Sequence, residues 1–332
     1  MSGVSGGPLR LVVMGTGPFA VPMFEALRRS PHRIVAVVTR PDHAPPGRRP
    51  PPNPMRAAAT AAGLALLAPE RINDPEACDL LAALAADVFV VCDYGQILSA
   101  AVLGLPRLGG INLHGSLLPR HRGAAPVQWA ILSGDAMTGV SVIHMTPALD
   151  AGHVLVTRAV EIGRQETAHE LEHRLAELGA GAVLEALERL EAATAAGLRP
   201  DEVGLPQDPA RATRAPRLTK ADGIVDWSQP AARIERLRRA VEPWPRATTF
   251  LNRGDGQRQR LVLEQLDLVD AAEADPAAAG GTVLEAAGDR IVVACGGGSA
   301  LAIRRLVPEG RRSMSAAEFL RGSPLLPGMR LG

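Results

Sequence analysis

Apolar and polar positions change period in blocks along the chain. Residues 9–14 (LRLVVM) form a short apolar run that stops at Gly15, helical spacing follows from Pro22 to Arg29, and a second apolar run spans Ile34 to Thr39. This predicts strand, helix, strand. A further helical pattern near 54–63, the run VFVVC at 88–92 and INLH at 111–114 continue the alternation. Such alternation predicts an α/β domain built on a Rossmann-like parallel sheet with helices on both faces. From Thr167 to about Ala195, apolar residues recur at helical spacing (Leu171, Leu175, Leu178, Val183, Leu187, Leu190), predicting one long helix. Gly197 and the proline-containing stretch to Pro216 break that period and read as a connection between domains. Beyond it come one helix, Ala231 to Val241, and short strand-like runs (RLVLEQLDLV, GTVLEA, RIVVAC, ALAIRRL) separated by glycine-rich turns, the pattern of a small OB-like β-barrel. The expected division is 1–198 for the first domain, 199–212 for the linker and 213–332 for the second. A length of 332 residues agrees with two cores rather than one.

Composition narrows the classes. With 46% hydrophobic and 21% charged residues the chain is that of a folded globular protein. Lys220 is the single lysine, which leaves Schiff-base chemistry one candidate. Cys78, Cys92 and Cys295 lack the paired spacing of zinc sites or disulfide frameworks, and the histidines form no three-ligand constellation, so no metal is expected. No run approaches the ~18 to 20 apolar residues of a membrane span, and the N-terminus lacks a signal pattern. A cytoplasmic protein is the expectation. Net charge is +1, yet residues 211–260 hold twelve Arg/Lys against five Asp/Glu. That segment suits either an anionic partner or a plain solvated face.

Three segments carry candidate chemistry. Gly15-Thr16-Gly17-Pro18-Phe19-Ala20 fits a loose G-x-G-x-x-A dinucleotide pattern. Pro18 removes an N–H that a phosphate would use, and no acidic residue sits squarely at the end of the second strand, so a tight structural turn is the better reading. The second segment, GINLHGSLLPRHRG, begins at Gly110. On a strand, Asn112 and His114 project from one face, with Ile111 and Leu113 on the other. An amide N–H donor beside an imidazole is the equipment for stabilising an oxyanion, and a hydrogen-bonded core pair is its bland alternative. Third, Asp150 lies in the turn-rich stretch MTPALDAGH, one helix and one strand after His114, within reach of the same pocket. There a carboxylate can order the imidazole, though an Asp before Gly is also a common turn residue.

Together these segments resemble the folate-dependent formyltransferase family over nearly the whole chain. The matching stretches are GTGPFAVP, ADVFVVCDYGQILSAAVL, GGINLHGSLLPRHRGAAPVQWAI, LDAGHV, LAELGA, RLTKADGIVDW, EPWPRA and RRSMSAAEFL. The resemblance implies transfer of a formyl group from 10-formyltetrahydrofolate to the amino group of methionine esterified on initiator tRNA, by a monomer. It makes Asn112, His114 and Asp150 the catalytic group. It places folate against Cys92, Tyr94, Gly95, Ile97 and Leu98 and the loop ending at Asp150, with Ser116, Leu117, Leu118 and Pro119 lining the substrate side. It also makes Lys220, Arg233, Arg238 and Arg239 tRNA contacts, joined by Arg48 and Arg49 in the loop that the family directs at the acceptor end. That loop departs from the family in being proline-rich and poor in basic residues, and Asp93 departs in standing where a small or apolar residue is usual. Alternatives with the same triad are a sugar-nucleotide formyltransferase and a formyl-folate hydrolase domain. An NADP-dependent dehydrogenase would use only the glycine loop, and a non-catalytic RNA-binding protein only the basic half.

Overall fold

A computed structural model describes residues 7–42, 53–252 and 258–332. The chain divides into two compact units, the first of residues 1–126, 137–161 and 170–216, the second of 127–136, 162–169 and 217–332.

The first unit is organised by seven strands: β1 (Arg10–Met14), β2 (Arg33–Val38), β3 (Leu66–Leu67), β4 (Val88–Val91), β5 (Gly110–His114), β6 (Met137–His144) and β7 (Val154–Glu161). Their order is β3-β2-β1-β4-β5-β6-β7. Between them run α1 (Val21–Arg29), α2 (Pro54–Ala61), α3 (Pro75–Ala83) and α4 (Ala100–Leu103), and the long α6 (Ala168–Ala195) follows; α5 (Pro126–Ser133), between β5 and β6 in the chain, belongs from residue 127 on to the second unit. The helix starts are written locally. Asn53 caps α2 by accepting the Arg56 N–H, Ser99 caps α4 by accepting that of Val102, and Pro22, Pro54 and Pro75 sit in first turns, where the missing N–H costs nothing. The central strands are buried on both faces, as their unbroken Val/Leu/Phe runs require.

The expectation of a parallel sheet holds for β1 to β5. It is corrected beyond them, because β6 runs antiparallel to β5, and β7 antiparallel to β6. The turn-rich stretch at 145–153 joins β6 and β7 as a hairpin, and a return that short can only be antiparallel. This edge was not expected from the hydrophobic pattern.

Residues 199–212, expected as a linker, lie along the first unit. Leu205 exchanges backbone hydrogen bonds with Val154 at 2.8 and 2.9 Å.

The second unit contains α7 (Ala231–Ala240), strands β8 (Thr248–Asn252), β9 (Arg258–Leu268), β10 (Val283–Ala287), β11 (Arg290–Cys295), β12 (Ser299–Pro308) and β13 (Met314–Ser315), and α8 (Ala316–Gly322). The sheet order is β10-β11-β12-β9-β8, all antiparallel, with β13 on β12. The strand pairing therefore defines an antiparallel β unit; among the described residues it runs as an open path rather than a closed ring. Ser315 and Glu318 form a reciprocal capping box at the start of α8, which anchors the end of the chain.

Candidate active site

The glycine loop serves packing. A Cβ on Gly15 would stand 2.9 Å from the Cys92 carbonyl oxygen, and one on Gly17 would collide with the Asp93 carboxylate. Thr16 N–H donates to the Asp93 carbonyl at 3.0 Å and its hydroxyl to that of Tyr94 at 3.1 Å. The loop is small so that the segment after β4 can lie directly on it, which accounts for its glycines without a phosphate. Asp93, at φ 47°, holds the exposed corner of that contact.

That segment continues into an apolar cluster joining Tyr94, Leu98, Val102 and Leu103 with Met145. The loops after β4 and β6 therefore share one foundation. Each leaves a large apolar side chain in the open, Ile97 at 71% and Leu149 at 62% exposure. Buried single apolar residues need no comment, but exposed ones on adjoining loops suit a flat apolar ligand. Leu149 was not singled out from the sequence, since exposure cannot be read from a lone leucine in a turn. Tyr94 is buried, its hydroxyl has no hydrogen-bond partner among the described residues, and burial pushes its pKa up to about 12, so it is a neutral phenol.

β5 delivers Asn112 and His114 as the two-residue period requires. Asn112 is half-buried, and its amide takes part in none of the side-chain hydrogen bonds found among the described residues. His114 is 6% exposed. Its Nε2 lies 2.9 Å from the His121 carbonyl oxygen. A carbonyl can only accept, so Nε2 carries a proton and Nδ1 is the nitrogen left for chemistry. Nδ1 stands 3.8 Å from Asp150 Oδ2, an electrostatic contact rather than a hydrogen bond. Asp150 Oδ2 also accepts the Gly123 N–H at 2.9 Å. The structure thus brings all three sequence candidates to the carboxyl end of β5.

Asp150 sits at φ 49° and His121 at φ 59°, in the left-handed region that costs an ordinary residue about 1–2 kcal/mol. Both conformations aim groups at His114, the Asp150 carboxylate at Nδ1 and the His121 carbonyl at Nε2.

The remaining expected residues divide. Cys92 is fully buried beneath the loop and burial pushes its thiol well up, so only its backbone is available. Ser116 is also fully buried, and its hydroxyl donates to the Arg120 carbonyl at 2.7 Å while Ser141 Oγ donates to the Ser116 carbonyl at 2.8 Å. Its side chain braces the loop rather than lining it. Leu117, Leu118 and Pro119 are half-buried and Gly95 is exposed.

In the second unit Lys220 and Arg233 are exposed. Arg238 and Arg239 are not the free cations expected. The Arg239 side chain is 8% exposed, its Nε is 2.9 Å from Glu235, and its Nη1 donates to the Glu166 carbonyl at 3.0 Å. Arg238 is paired with Glu235 and Glu242. Helical i, i+3 and i, i+4 spacing made these pairs, a signal present in the sequence. Arg48 and Arg49 lie outside the described residues. Trp244 is exposed, and the Arg258 guanidinium lies 4.4 Å above the Phe250 ring. Among the described residues no group of three or more His, Cys, Asp or Glu could hold a metal ion. None of the described helices is long and apolar enough to cross a membrane.

Asn112 and His114 on one face of β5, with the Asp150 carboxylate 3.8 Å from the imidazole, form an arrangement able to hold an oxyanion. The family model of the formyl transferases matches residues 9–187 and that of the formyl transferase C-terminal domain matches 217–324, and the chain belongs to this family. Within it, the chain is 46% identical to the methionyl-tRNA formyltransferase of Rhodopirellula baltica, over 97% of this chain and 96% of that one. It is 40% identical to that of Desulfotalea psychrophila, over 96% and 94%. Among solved structures, HypX from Aquifex aeolicus in complex with tetrahydrofolic acid superposes with a TM-score of 0.58 at 17% identity, over 95% of this chain and about half (47%) of that one. The N-formyltransferase of Helicobacter canadensis, solved with folinic acid and dTDP-3-aminofucose, gives 0.59 at 13% identity over 89% and 99%. At those identities the two structures attest the fold.

Proposed function

We propose that the chain transfers the formyl group of 10-formyltetrahydrofolate to the α-amino group of methionyl initiator tRNA. The observation that carries this reading is the Asn112, His114 and Asp150 constellation at the end of β5, in a chain that aligns along its whole length with methionyl-tRNA formyltransferases. The uncharged amine attacks the formyl carbon. As the carbonyl π bond opens, the oxygen gains charge and is held by the Asn112 amide N–H and by an Nδ1–H of His114. Asp150 faces that same nitrogen, where it stabilises the charged ring and orders the transfer of the proton lost by the amine to N10 of the folate. The C–N10 bond then breaks, leaving tetrahydrofolate and the formylated amine. Because Nε2 is committed to the His121 carbonyl, all proton traffic through the ring passes Nδ1.

The folate ring fits the loops after β4 and β6. Ile97 and Leu149 supply apolar surface, the buried Tyr94 and Leu98 support the loop from beneath, and the Cys92 carbonyl, Gly95 and the 145–150 loop supply backbone groups, with Leu117, Leu118 and Pro119 on the acceptor side. Residues 1–198 form the catalytic domain and 199–212 the connection. Residues 213–332 serve as an OB-like tRNA-binding module, with Lys220 and Arg233 as phosphate contacts and Arg48 and Arg49 reaching the acceptor end. The enzyme works as a monomer in the cytoplasm, where translation starts.

The test is to incubate the chain and 10-formyltetrahydrofolate with methionyl initiator tRNA, free methionine or an amino-sugar nucleotide. Formylation of the tRNA alone is expected. Transfer to the sugar nucleotide instead would overturn the assignment of the acceptor.

A further inference from the structure

The segment from Leu205 to Ala215 makes more contacts at the site than a connection requires. Gln207 is its centre. The side-chain Nε2 donates to the Asp150 carbonyl at 2.9 Å and to the Gly152 carbonyl at 2.8 Å. The side-chain Oε1 accepts from Arg122 Nε at 3.1 Å and Nη2 at 2.7 Å. Both ends of the amide are used, and its orientation is fixed, because a flipped amide would set oxygen against two carbonyls and NH2 against a guanidinium. Arg122 is followed by Gly123, whose N–H holds the Asp150 carboxylate. Asp150, in the left-handed region at φ 49°, is therefore gripped at its carbonyl by Gln207 and at its side chain by Gly123.

The same segment touches the other half of the site. Thr213 Oγ1 accepts the His121 N–H at 2.8 Å, and His121 is the residue whose carbonyl fixes Nε2 of His114. Backbone bonds from Arg122 to Thr213 and from Ala215 to Arg122 complete the attachment, at 2.8 and 2.7 Å.

We propose that Gln207 is a positioning residue for the transfer reaction: through its bonds to the Asp150 and Gly152 carbonyls it sets the direction of the Asp150 carboxylate toward His114, with residues 205–215 acting as a strap across the site. Gln207 acts through the backbone of Asp150, not on the reacting atoms. The inference rests on the formyl-transfer reading for its kinetic consequence alone.

Two variants of the full chain test it. Gln207→Glu keeps an oxygen for Arg122 and removes both donors, whereas Gln207→Leu removes everything. For Gln207→Glu, kcat falls roughly ten- to a hundredfold while the KM values for folate donor and tRNA stay within about twofold, as loss of alignment without loss of binding requires. Backbone hydrogen exchange quickens at Gly123 and across residues 145–153, with the melting temperature little changed. An unchanged kcat with unchanged exchange in that segment overturns the proposal. So does a loss of activity that tracks a general fall in melting temperature, with exchange rising throughout the first unit. Should Gln207→Leu unfold the chain, Gln207→Glu decides. If the wild-type chain transfers no formyl group to the tRNA, the functional reading fails, and the exchange result still settles whether Gln207 holds Asp150.

Discussion

The end of β5 and the arginine-bearing helix α7 are both dense in polar groups, and they use them differently. At β5 most polar atoms have one fixed partner: Nε2 of His114 the His121 carbonyl, the Asp150 carboxylate the Gly123 N–H, the Ser116 hydroxyl the Arg120 carbonyl. Among the described residues the Asn112 amide and Nδ1 of His114 have no such hydrogen bond. On α7, the buried Arg239 and half-buried Arg238 pair with Glu235, the helix's one carboxylate, while Arg233 is exposed and acts on the exposed Asp226. A site that must stabilise one charge at one point is built from groups that cannot substitute for one another. A surface that meets a polyanion can spread the task over several.

That contrast makes quantitative predictions. The largest effect belongs to Asn112→Ala, which removes an oxyanion donor; single-turnover formyl transfer should fall by about 10² to 10³ with tRNA binding retained, as is typical for such a group. Unaltered transfer would remove Asn112 from the mechanism. Next is Arg239→Ala. It leaves the Glu235 carboxylate buried without its main partner, and should destabilise the second unit by about 3 kcal/mol in denaturant melts while leaving the chemistry of any folded fraction intact. If instead it weakened tRNA binding without touching stability, Arg239 would belong to the recognition surface after all. Lys220→Ala and Arg233→Ala should each weaken tRNA affinity a few-fold at most and lower the slope of log affinity against log salt by about one. A slope that does not move would place the phosphates elsewhere.

The smallest effect concerns His144, a buried histidine of the first unit. Burial holds its pKa below the ordinary 6.5, against the attraction of Asp201 and a hydrogen bond that the ring donates to the Met145 backbone carbonyl, with His153 acting in the same direction as burial. Its buried Nε2 has no hydrogen-bond partner among the described residues. The neutral ring is the form the fold accepts, so its stabilising contribution is whole above about pH 6.5 and is lost as the pH falls below it. Melting temperatures measured at pH 7.5 and 5.5 should differ less in His144→Gln than in the wild type. An equal drop in both would assign the acid sensitivity to other groups.

Much of this was legible in the residues. Period-two alternation placed Asn112 and His114 on one face of a strand, and the strand is there. Apolar periodicity placed the starts of α1, α2, α6 and α7 to within a residue or two, and left α3, α4 and α5 unmarked. The antiparallel edge β6–β7 was not legible, since the buried run of β6 looks alike whichever way the strand runs, and β7, mostly exposed, carries little apolar signal. Nor was the buried role of Ser116, because a hydroxyl bonds whatever the fold brings to it. The pairing of Arg238 and Arg239 was available as an i, i+4 pattern with Glu235, but charge counting treated every arginine as free.

By itself the sequence determined where strands and helices lie and which side chains share a face, because those depend on backbone geometry between near neighbours. It also carried the family, since the GINLHGSLLPRHRG block and its companions recur in order along the whole chain. Only the tertiary structure decided which nitrogen of His114 is free, that Asp150 arrives beside it, and that Gln207, 57 residues further on, holds Asp150 there. Partners of buried polar groups are chosen by which segments meet in space, and a desolvated donor or acceptor must be satisfied by whatever lies there.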